Sequence, residues 1–269
     1  MNMDPQIMKY LTLKEIQLEE LKIAKIIAEF CDSNNIDYYL SSGTLLGSVR
    51  HGGFIPWDDD MDLYMLRDDY AKFCKSFMHK GLVLKYCENG TLLAPFAKVY
   101  NPDIVVERAE VKGQDNSMLW VDIFPLDGIL GPGIRRKLIM IRIKWLNRII
   151  YMNRAQTTNG SSMKRIIWNK VHEYYARKSD DYIRKVAQKI SHIRQKYPTK
   201  GSIYILSPEF VLPADLFENR KKYKFEDTEF YSVSNADKYL TICYGDYNKL
   251  PPENQRVGHA MKAYFRTLQ

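Results

Sequence analysis

The stretch from Gly43 to Leu63, GTLLGSVRHGGFIPWDDDMDL, joins a segment of small residues and turns to a short run of carboxylates. In an extended strand, side chains alternate between two faces, so Asp60 and Asp62 would lie on one side, roughly 6–7 Å apart. Met61 and Leu63 would then face a core. Because two carboxylates on one side favour a divalent cation, this stretch predicts a metal-dependent phosphate site.

The composition is typical of a globular protein. Of the 269 residues 45% are hydrophobic, which is enough for one large domain or a domain with an insertion. The N-terminus lacks the features of a secretory signal, and no run approaches the ~18 apolar residues of a membrane span. Four cysteines without CxxC pairing disfavour a zinc ribbon or a disulfide framework; they are Cys31, Cys74, Cys87 and Cys243. We therefore expect a cytoplasmic protein with reduced cysteines.

Positive charge is concentrated in one part of the chain. Between Ile134 and Lys200 there are 18 Lys and Arg residues against three acids, a net charge of +15. Because the whole chain carries +8, the remainder carries −7. Such separation favours a polyanion or an anionic membrane surface as the partner of this segment. The alternative is a solvated helical face.

The first basic helix is amphipathic. At about 100° per residue, the apolar residues on one side are Leu138, Ile139, Ile143, Trp145, Leu146, Ile149 and Ile150, and the residues opposite are Lys137, Lys144, Asn147 and Arg148. Such a helix suits a membrane interface. Arg142 falls within the apolar face, however, which favours a helix packed on the catalytic core. Both interpretations stay open.

Apolar periodicity and turn signals predict the order of helices and strands. A capping box at Thr12 and Glu15 indicates a helix that continues to Asn34. The other expected helices are Thr44 to Arg50, Tyr70 to Phe77, Asn235 to Gly245 and two to four between Ile134 and Tyr197. The expected strands are Asp37 to Leu40, Asp60 to Leu66, Leu82 to Cys87, Pro95 to Val99, Ile104 to Arg108, Leu119 to Phe124 and Ser202 to Leu206, with a loop over Gly128 to Gly133. Closely spaced strands imply mixed or antiparallel pairing.

A glycine element precedes the carboxylates. Gly47 and Ser48 are followed, after eleven residues, by Asp60, and a short helix is expected to begin near Gly43 and Thr44. Backbone amides at such a helix start are suited to holding a phosphate.

Asp122 is a third candidate carboxylate. It interrupts the apolar strand LWVDIF and has no basic neighbour in the sequence. A buried carboxylate requires a partner. A cation shared with Asp60 and Asp62 would supply one, and so would a buried arginine or backbone amides.

Three blocks of sequence together resemble a known family. They are Tyr38 to Tyr70, which contains SSGTLLGSVRHGGFIPWDDDMDL, Trp120 to Asp127, WVDIFPLD, and Tyr239 to Arg256, YLTICYGDYNKLPPENQR. The Gly-Ser turn, the strand with alternating aspartates and the later carboxylate resemble the nucleotidyltransferase-fold superfamily. The three blocks are similar to the LicD family of phosphotransferases, which is related to fukutin and fukutin-related protein. The resemblance does not cover the basic helices.

The resemblance implies roles for individual residues. Asp60 and Asp62 would bind Mg²⁺, with Mn²⁺ as the alternative ion. Asp122 would complete the site as a metal ligand or as the base, and Asp58 would be a further ligand. Arg50 would neutralise the diphosphate of the donor.

Trp57 is adjacent to the carboxylates and offers an aromatic face for a choline trimethylammonium group, although aromatic residues near a site more often pack. The predicted substrate-binding residues are Gly43, Thr44, Gly47, Ser48, Arg50 and Trp57.

The expected fold is α+β, with a nucleotidyltransferase-like mixed sheet flanked by helices. We expect a catalytic core at residues 1–133, a basic helical insertion at 134–200 and a C-terminal segment at 201–269 that completes the core. The resemblance implies Mg²⁺-dependent transfer of phosphocholine from CDP-choline to a hydroxyl of a cell-surface glycan precursor, of teichoic acid or lipopolysaccharide type, with release of CMP. The acceptor would be a glycan or a lipid-linked glycan. Transfer from another CDP-alcohol (ribitol, glycerol or ethanolamine) and nucleotidyl transfer from a triphosphate stay open.

A non-catalytic alternative is a basic adaptor that binds teichoic acid, membrane or nucleic acid through residues 134–200. It would not require Asp60, Asp62 and Asp122 to converge. We expect no nucleic-acid partner, and a cytoplasmic location that extends to the inner face of the cell membrane if the basic segment docks there.

Overall fold

The computed structural model describes residues 9–107, 118–154, 163–197, 203–207, 210–258 and 261–266. Its α-helices are α1 (Leu13–Ser33), α2 (Ser42–His51), α3 (Arg67–Ser76), α4 (Ile134–Arg154), α5 (Met163–Ala176), α6 (Asp180–Arg194) and α7 (Ala236–Tyr244). Its strands are β1 (Tyr39–Leu40), β2 (Asp62–Leu66), β3 (Val83–Tyr86), β4 (Ala97–Asn101), β5 (Ile104–Glu107), β6 (Leu119–Ile129), β7 (Ile203–Ser207), β8 (Phe210–Pro213), β9 (Arg220–Phe225), β10 (Thr228–Val233) and β11 (Lys262–Phe265).

The central sheet is mixed. Its strands lie in the order β1, β2, β6, β4, β3, with β7 paired to β6 and β8 paired to β7. Strands β2 and β6 are parallel, whereas the other neighbours are antiparallel. Two small antiparallel pairs, β9 with β10 and β5 with β11, complete the strands of the described residues. This arrangement confirms the predicted α+β class.

The first helix begins where the sequence predicts. The Thr12 side chain accepts a hydrogen bond from the amide of Glu15, and the Glu15 side chain accepts one from the Thr12 amide, so two free amides of the helix end are satisfied. Ile16, Ala24 and Ile27 recur on one face of α1 and are buried in the main core. Helix α1 therefore packs against the sheet along its apolar face.

The register between the central strands positions the predicted site. Asp62 at the start of β2 lies opposite Asp122 of β6, and Asp122 lies opposite Lys98 of β4. Met61 and Leu63 are completely buried, which confirms the predicted alternation of faces. Because adjacent strands are about 4.8 Å apart, three charged residues lie side by side across the sheet.

Several strands differ from the prediction. Strand β6 continues through Gly128 and Ile129, where a loop was expected, because β7 pairs with this part of it. The sequence did not predict β8 to β11. In β9, apolar and polar residues alternate poorly because its first three residues are Arg220, Lys221 and Lys222. The two residues Arg108 and Ser202, which the predicted strands included, lie outside the described residues.

The described part of the basic segment contains three helices, within the range predicted. Helices α4 and α6 share a second hydrophobic cluster, to which α4 contributes Ile143, Leu146 and Ile149. Leu138 and Trp145 are exposed, so they do not share the buried face with the other apolar residues that the sequence placed on the same side. Helix α4 has apolar residues on two sides, one buried and one exposed, and the periodicity of the sequence does not distinguish these two sides.

A buried ionic network joins the basic helices to the sheet. The completely buried Asp127 carboxylate on β6 pairs with Arg67 of α3 at 2.6 Å and with Arg194 of α6 at 2.8 Å. Arg67 also pairs with Glu88 at 2.9 Å, and the Ser191 hydroxyl of α6 donates to Glu88 at 2.7 Å. Helix α6 is therefore held to the sheet by charge as well as by apolar contact.

No helix in the described ranges combines the length and the apolar character that crossing a bilayer requires. The division of the chain at residues 133 and 200 stays a prediction.

Candidate active site

The N-terminal turn of α2 lies against the acidic loop, the segment Asp58 to Asp60 that precedes β2. A Cβ atom at Gly43 would be 2.7 Å from Oδ2 of Asp58, so the carboxylate can approach the turn only because residue 43 has no side chain. The Thr44 hydroxyl accepts a hydrogen bond from the Asp62 amide at 2.8 Å. Since the start of a helix carries partial positive charge, this turn favours anions. The fold thus brings Gly43 and Thr44 to the carboxylates.

The carboxylates interact electrostatically. Burial raises the pKa of Asp62 well above its ordinary value, and the charge of Asp60 raises it next. Asp122 and Asp58 raise the same pKa further, while Lys98 opposes them. Asp62 and Asp122 lie opposite each other on adjacent strands, and the charges of Asp58 and Asp60 reach Asp62. The four predicted metal ligands thus lie in one region of the fold, which disfavours the adaptor hypothesis, because that hypothesis gives no reason for like charges to be held together.

Asp122 has partners within the protein. Its Oδ1 pairs with Lys98 Nζ at 2.9 Å, and its Oδ2 accepts a hydrogen bond from the indole of Trp120 at 3.1 Å. Lys98 Nζ also lies 4.0 Å from the centre of the Trp120 ring. A buried lysine is thus the partner of Asp122, for which the sequence left open a cation, a buried arginine or backbone amides. The role of Asp122 as a metal ligand stays a prediction.

Sequence reasoning missed Lys98, although a signal was present. It is a charged residue between the completely buried Ala97 and Val99, and is itself buried. Buried lysines are rare without a partner. Its partner, however, lies on another strand, which one sequence does not reveal.

Two further buried acids were also missed. Asp59 accepts a hydrogen bond from the Met261 amide at 3.0 Å, so it anchors the C-terminal strand to the acidic loop. Glu20 of α1 is completely buried, and neither of its carboxylate oxygens has a hydrogen-bond partner among the residues that the structure describes. Burial raises the pKa of Glu20 well above its ordinary value, and the charges of Asp60 and then Asp59 raise it further. Helix α1 faces the acidic loop here, since Gln17 donates to the carbonyl of Asp58 at 2.8 Å.

The third block of the family resemblance reaches the site through α7. Burial has the largest effect on the pKa of the Tyr244 hydroxyl and raises it. Cys243 and then the charge of Asp62 raise the same pKa further. Arg50 donates from Nη1 to the carbonyl of Tyr247 at 3.0 Å, and its buried Nε has no hydrogen-bond partner in the described part of the chain. Burial lowers the pKa of Arg50. The segment with no known role in the sequence is thus placed beside the carboxylates and the predicted phosphate-binding arginine.

The other glycine-element residues make packing contacts. The Ser48 hydroxyl donates to the carbonyl of Lys224 at 2.7 Å, on β9. A Cβ at Gly47 would meet the backbone of Gly53 and Ile55. Gly47 therefore lets the loop before the carboxylates cross close to α2. The substrate-binding role predicted for both residues is untested.

Trp57 is half-buried. The His51 ring lies edge-on at 6.3 Å, and the Arg256 guanidinium lies 5.6 Å from the centre of the Trp57 ring. These contacts explain how the ring is packed, and choline binding at Trp57 stays a prediction.

A divalent cation fits the chemistry of the carboxylate cluster. All its candidate donors are carboxylate oxygens, which Mg²⁺ prefers, and they outnumber the positive charge of Lys98 beside them. As placed, no three His, Cys, Asp or Glu side chains within the described part of the chain form a ready ligand set. The side chains would have to turn toward a common point to hold an ion.

Comparison with known proteins identifies the family. The nucleotidyltransferase domain described as LicD/FKTN/FKRP matches residues 35–148. The lipopolysaccharide cholinephosphotransferase LicD of Haemophilus influenzae is 32% identical over 279 residues, which cover 96% of this chain and 100% of that protein. The chain belongs to the LicD family. The resemblance seen in the three blocks is thereby confirmed.

Other relatives match shorter parts of this LicD family chain. An uncharacterized protein of Rickettsia typhi is 40% identical over 70 residues, 26% of this chain and 23% of that one. The ribitol 5-phosphate transferase FKRP of Mus musculus is 28% identical over 102 residues, 38% of this chain and 19% of that one. The matched domain includes Asp58, Lys98 and Asp122, whereas Glu20 and Tyr244 lie outside it.

Proposed function

We propose that this chain is a Mg²⁺-dependent transferase that moves phosphocholine from CDP-choline to a hydroxyl of a cell-surface glycan precursor and releases CMP. The observation that carries the proposal is the full-length similarity to a lipopolysaccharide cholinephosphotransferase. The position of Asp58 beside the N-terminal turn of α2 and the mutual electrostatic influence of the four aspartates support it. The residues proposed to hold Mg²⁺ are Asp58, Asp60 and Asp62, with Asp122 as a further ligand or as the base.

The donor diphosphate would be bound by positive groups of the chain. The first turn of α2, at Gly43 and Thr44, directs amides and the helix dipole toward an anion. The buried Nε of Arg50, which no described residue contacts by a hydrogen bond, could donate to a phosphate oxygen. When bound, the ion would supply positive charge against the phosphate oxygens.

The proposed reaction is a displacement at the choline-bearing phosphorus. The acceptor oxygen forms a bond to this phosphorus while the bond to the bridging oxygen of the diphosphate breaks. CMP leaves with the bridging oxygen and its electron pair, and the hydroxyl proton passes to a carboxylate, for which Asp122 is the candidate. Lys98 and Trp120 both contact Asp122, so they fix its orientation.

The test is CMP release from CDP-choline with Mg²⁺ and a glycan acceptor. Asp60→Ala is expected to lower turnover by about 100-fold or more while the circular dichroism spectrum is unchanged, because it removes a charge that positions the reacting groups. The control is Asp68→Ala, an exposed aspartate in the first turn of α3. Normal CMP release by the Asp60 variant would contradict the proposal.

A second candidate keeps the chemistry and changes the alcohol. The similarity to a ribitol 5-phosphate transferase favours CDP-ribitol as an alternative donor. A panel of CDP-choline, CDP-ethanolamine, CDP-glycerol and CDP-ribitol, followed by CMP release, separates these donors. Pyrophosphate release from a nucleoside triphosphate would instead establish nucleotidyl transfer.

A further inference from the structure

Helix α4 carries a second apolar face that nothing in the described residues covers. Its inner face packs in the cluster shared with α6. On the outside, Ile134 is 70% exposed, Leu138 59%, Ile141 64% and Trp145 46%. We call these four residues the outer stripe. Large apolar side chains grouped in this way on a surface mark an interaction site.

The outer stripe is continuous. At about 100° per residue, its four members lie within about 60° of one another around the helix axis, over three turns. Trp145 stands at one end, where its ring meets Tyr175 of α5 edge-on at 6.3 Å. An aromatic residue at the edge of an apolar strip is typical of interfacial helices.

Basic residues border the outer stripe on both sides. Arg135 and Arg142 lie on one side of it around the helix, and Lys137, Lys144 and Arg148 lie on the other. No Asp or Glu occurs in the sequence from residue 128 to residue 172. Arg142, which the sequence placed within the apolar face, is exposed and does not point into the core. The partner must therefore be apolar at its centre and negative at its margins.

We propose that the outer stripe of α4 docks this protein on an anionic lipid bilayer, with its apolar side chains among the acyl chains and its flanking basic residues at the headgroups. A bilayer with anionic headgroups has this combination of apolar interior and negative surface. A second copy of the chain is a poorer fit, because pairing two stripes would bring two sets of like charges together.

The docking surface is separate from the carboxylates. Helix α4 follows the C-terminal end of β6, whereas Asp122 lies near its start, about 23 Å away along the strand. Changes in the outer stripe therefore leave the candidate active site intact, and the inference does not depend on the proposed reaction.

The experiment measures co-sedimentation of the full chain with vesicles. The wild-type protein should bind vesicles of phosphatidylcholine with one quarter phosphatidylglycerol, and bind pure phosphatidylcholine at least about 10-fold more weakly, with salt reducing the difference. Leu138→Gln with Ile141→Gln should lower binding by at least about 10-fold. The control, Met78→Gln with Val257→Gln, removes two apolar side chains that are even more exposed elsewhere on the surface, and this variant should bind normally.

Three results would overturn the inference: no binding by the wild type, equal binding by both double variants, or a dimer in sedimentation equilibrium that only the stripe variant loses. The proposed function is measured separately, by CMP release from CDP-choline in the presence of a water-soluble acceptor. The stripe variant should retain that activity, so a loss of vesicle binding and a loss of catalysis are distinguishable.

Discussion

At the scale of single residues, Glu20 is a buried carboxyl group that no described protein group satisfies. Its pKa is raised above the ordinary value by burial and then by the aspartates. A carboxyl with a raised pKa in the folded state contributes full stability below about pH 4.5, and this contribution is lost as the pH rises toward the folded-state pKa.

Glu20→Gln should therefore stabilise the protein in the absence of divalent ions, and more so at higher pH. We expect a gain of about 1 to 3 kcal/mol in the free energy of unfolding at about pH 8 and little at about pH 4.5. Urea unfolding in EDTA at both pH values measures it. The control, Glu29→Gln, changes an exposed glutamate on the same helix. A pH-independent difference would refute the account of Glu20.

Gly43 is the second residue whose contact is specific. Gly43→Ala places a methyl group 2.7 Å from the present position of Asp58 Oδ2, so the carboxylate must shift. We expect CMP release to fall by about 10-fold or more, equivalent to about 1.4 kcal/mol, with the melting temperature nearly unchanged. Gly131→Ala is the control, because a Cβ there meets nothing within 4 Å. Equal activities of the two variants would contradict the predicted role of Gly43.

At the scale of elements, the site depends on the register of β4, β6 and β2. Lys98→Met removes the positive partner of Asp122 and leaves that buried carboxylate beside Asp62. We expect a loss of about 3–5 kcal/mol in the free energy of unfolding, since one partner of a buried pair remains uncompensated. Urea denaturation measures the loss, and Lys75→Met, on the exposed side of α3, is the control. A loss below about 1 kcal/mol would show that Asp122 does not rely on Lys98.

The elements that were predicted correctly carry local signals. The capping box of Thr12 and Glu15 marks the start of α1, and the alternation around Met61 and Leu63 marks β2. The hairpin of β9 and β10 was missed because Lys221 and Lys222 hide its weak apolar alternation. Its register depends on pairing with the opposite strand, which has no local signature.

At the scale of the whole molecule, Asp127 connects the sheet, α3 and the basic helices. Asp127→Ala leaves Arg67 and Arg194 without their shared carboxylate. We expect the free energy of unfolding to fall by about 3–5 kcal/mol. The backbone amides of α6 should lose protection from hydrogen exchange before those of the central strands do. Asp215→Ala, which breaks an exposed pair with Lys238, should cost at most about 1 kcal/mol. Similar losses in the two variants would show that the network does not hold the helices.

The amino-acid sequence indicated the α+β class and the candidate aspartates through residue spacing within short segments, and it indicated the family through the resemblance of three blocks. The three-dimensional fold was needed to show that Lys98 pairs with Asp122, that Glu20 lies buried near the aspartates and that Tyr244 lies within reach of their charge. It also decided that Leu138 and Trp145 face outward. These facts depend on contacts between residues far apart in the chain and on which of two apolar helix faces finds a partner, and neither is set by local periodicity.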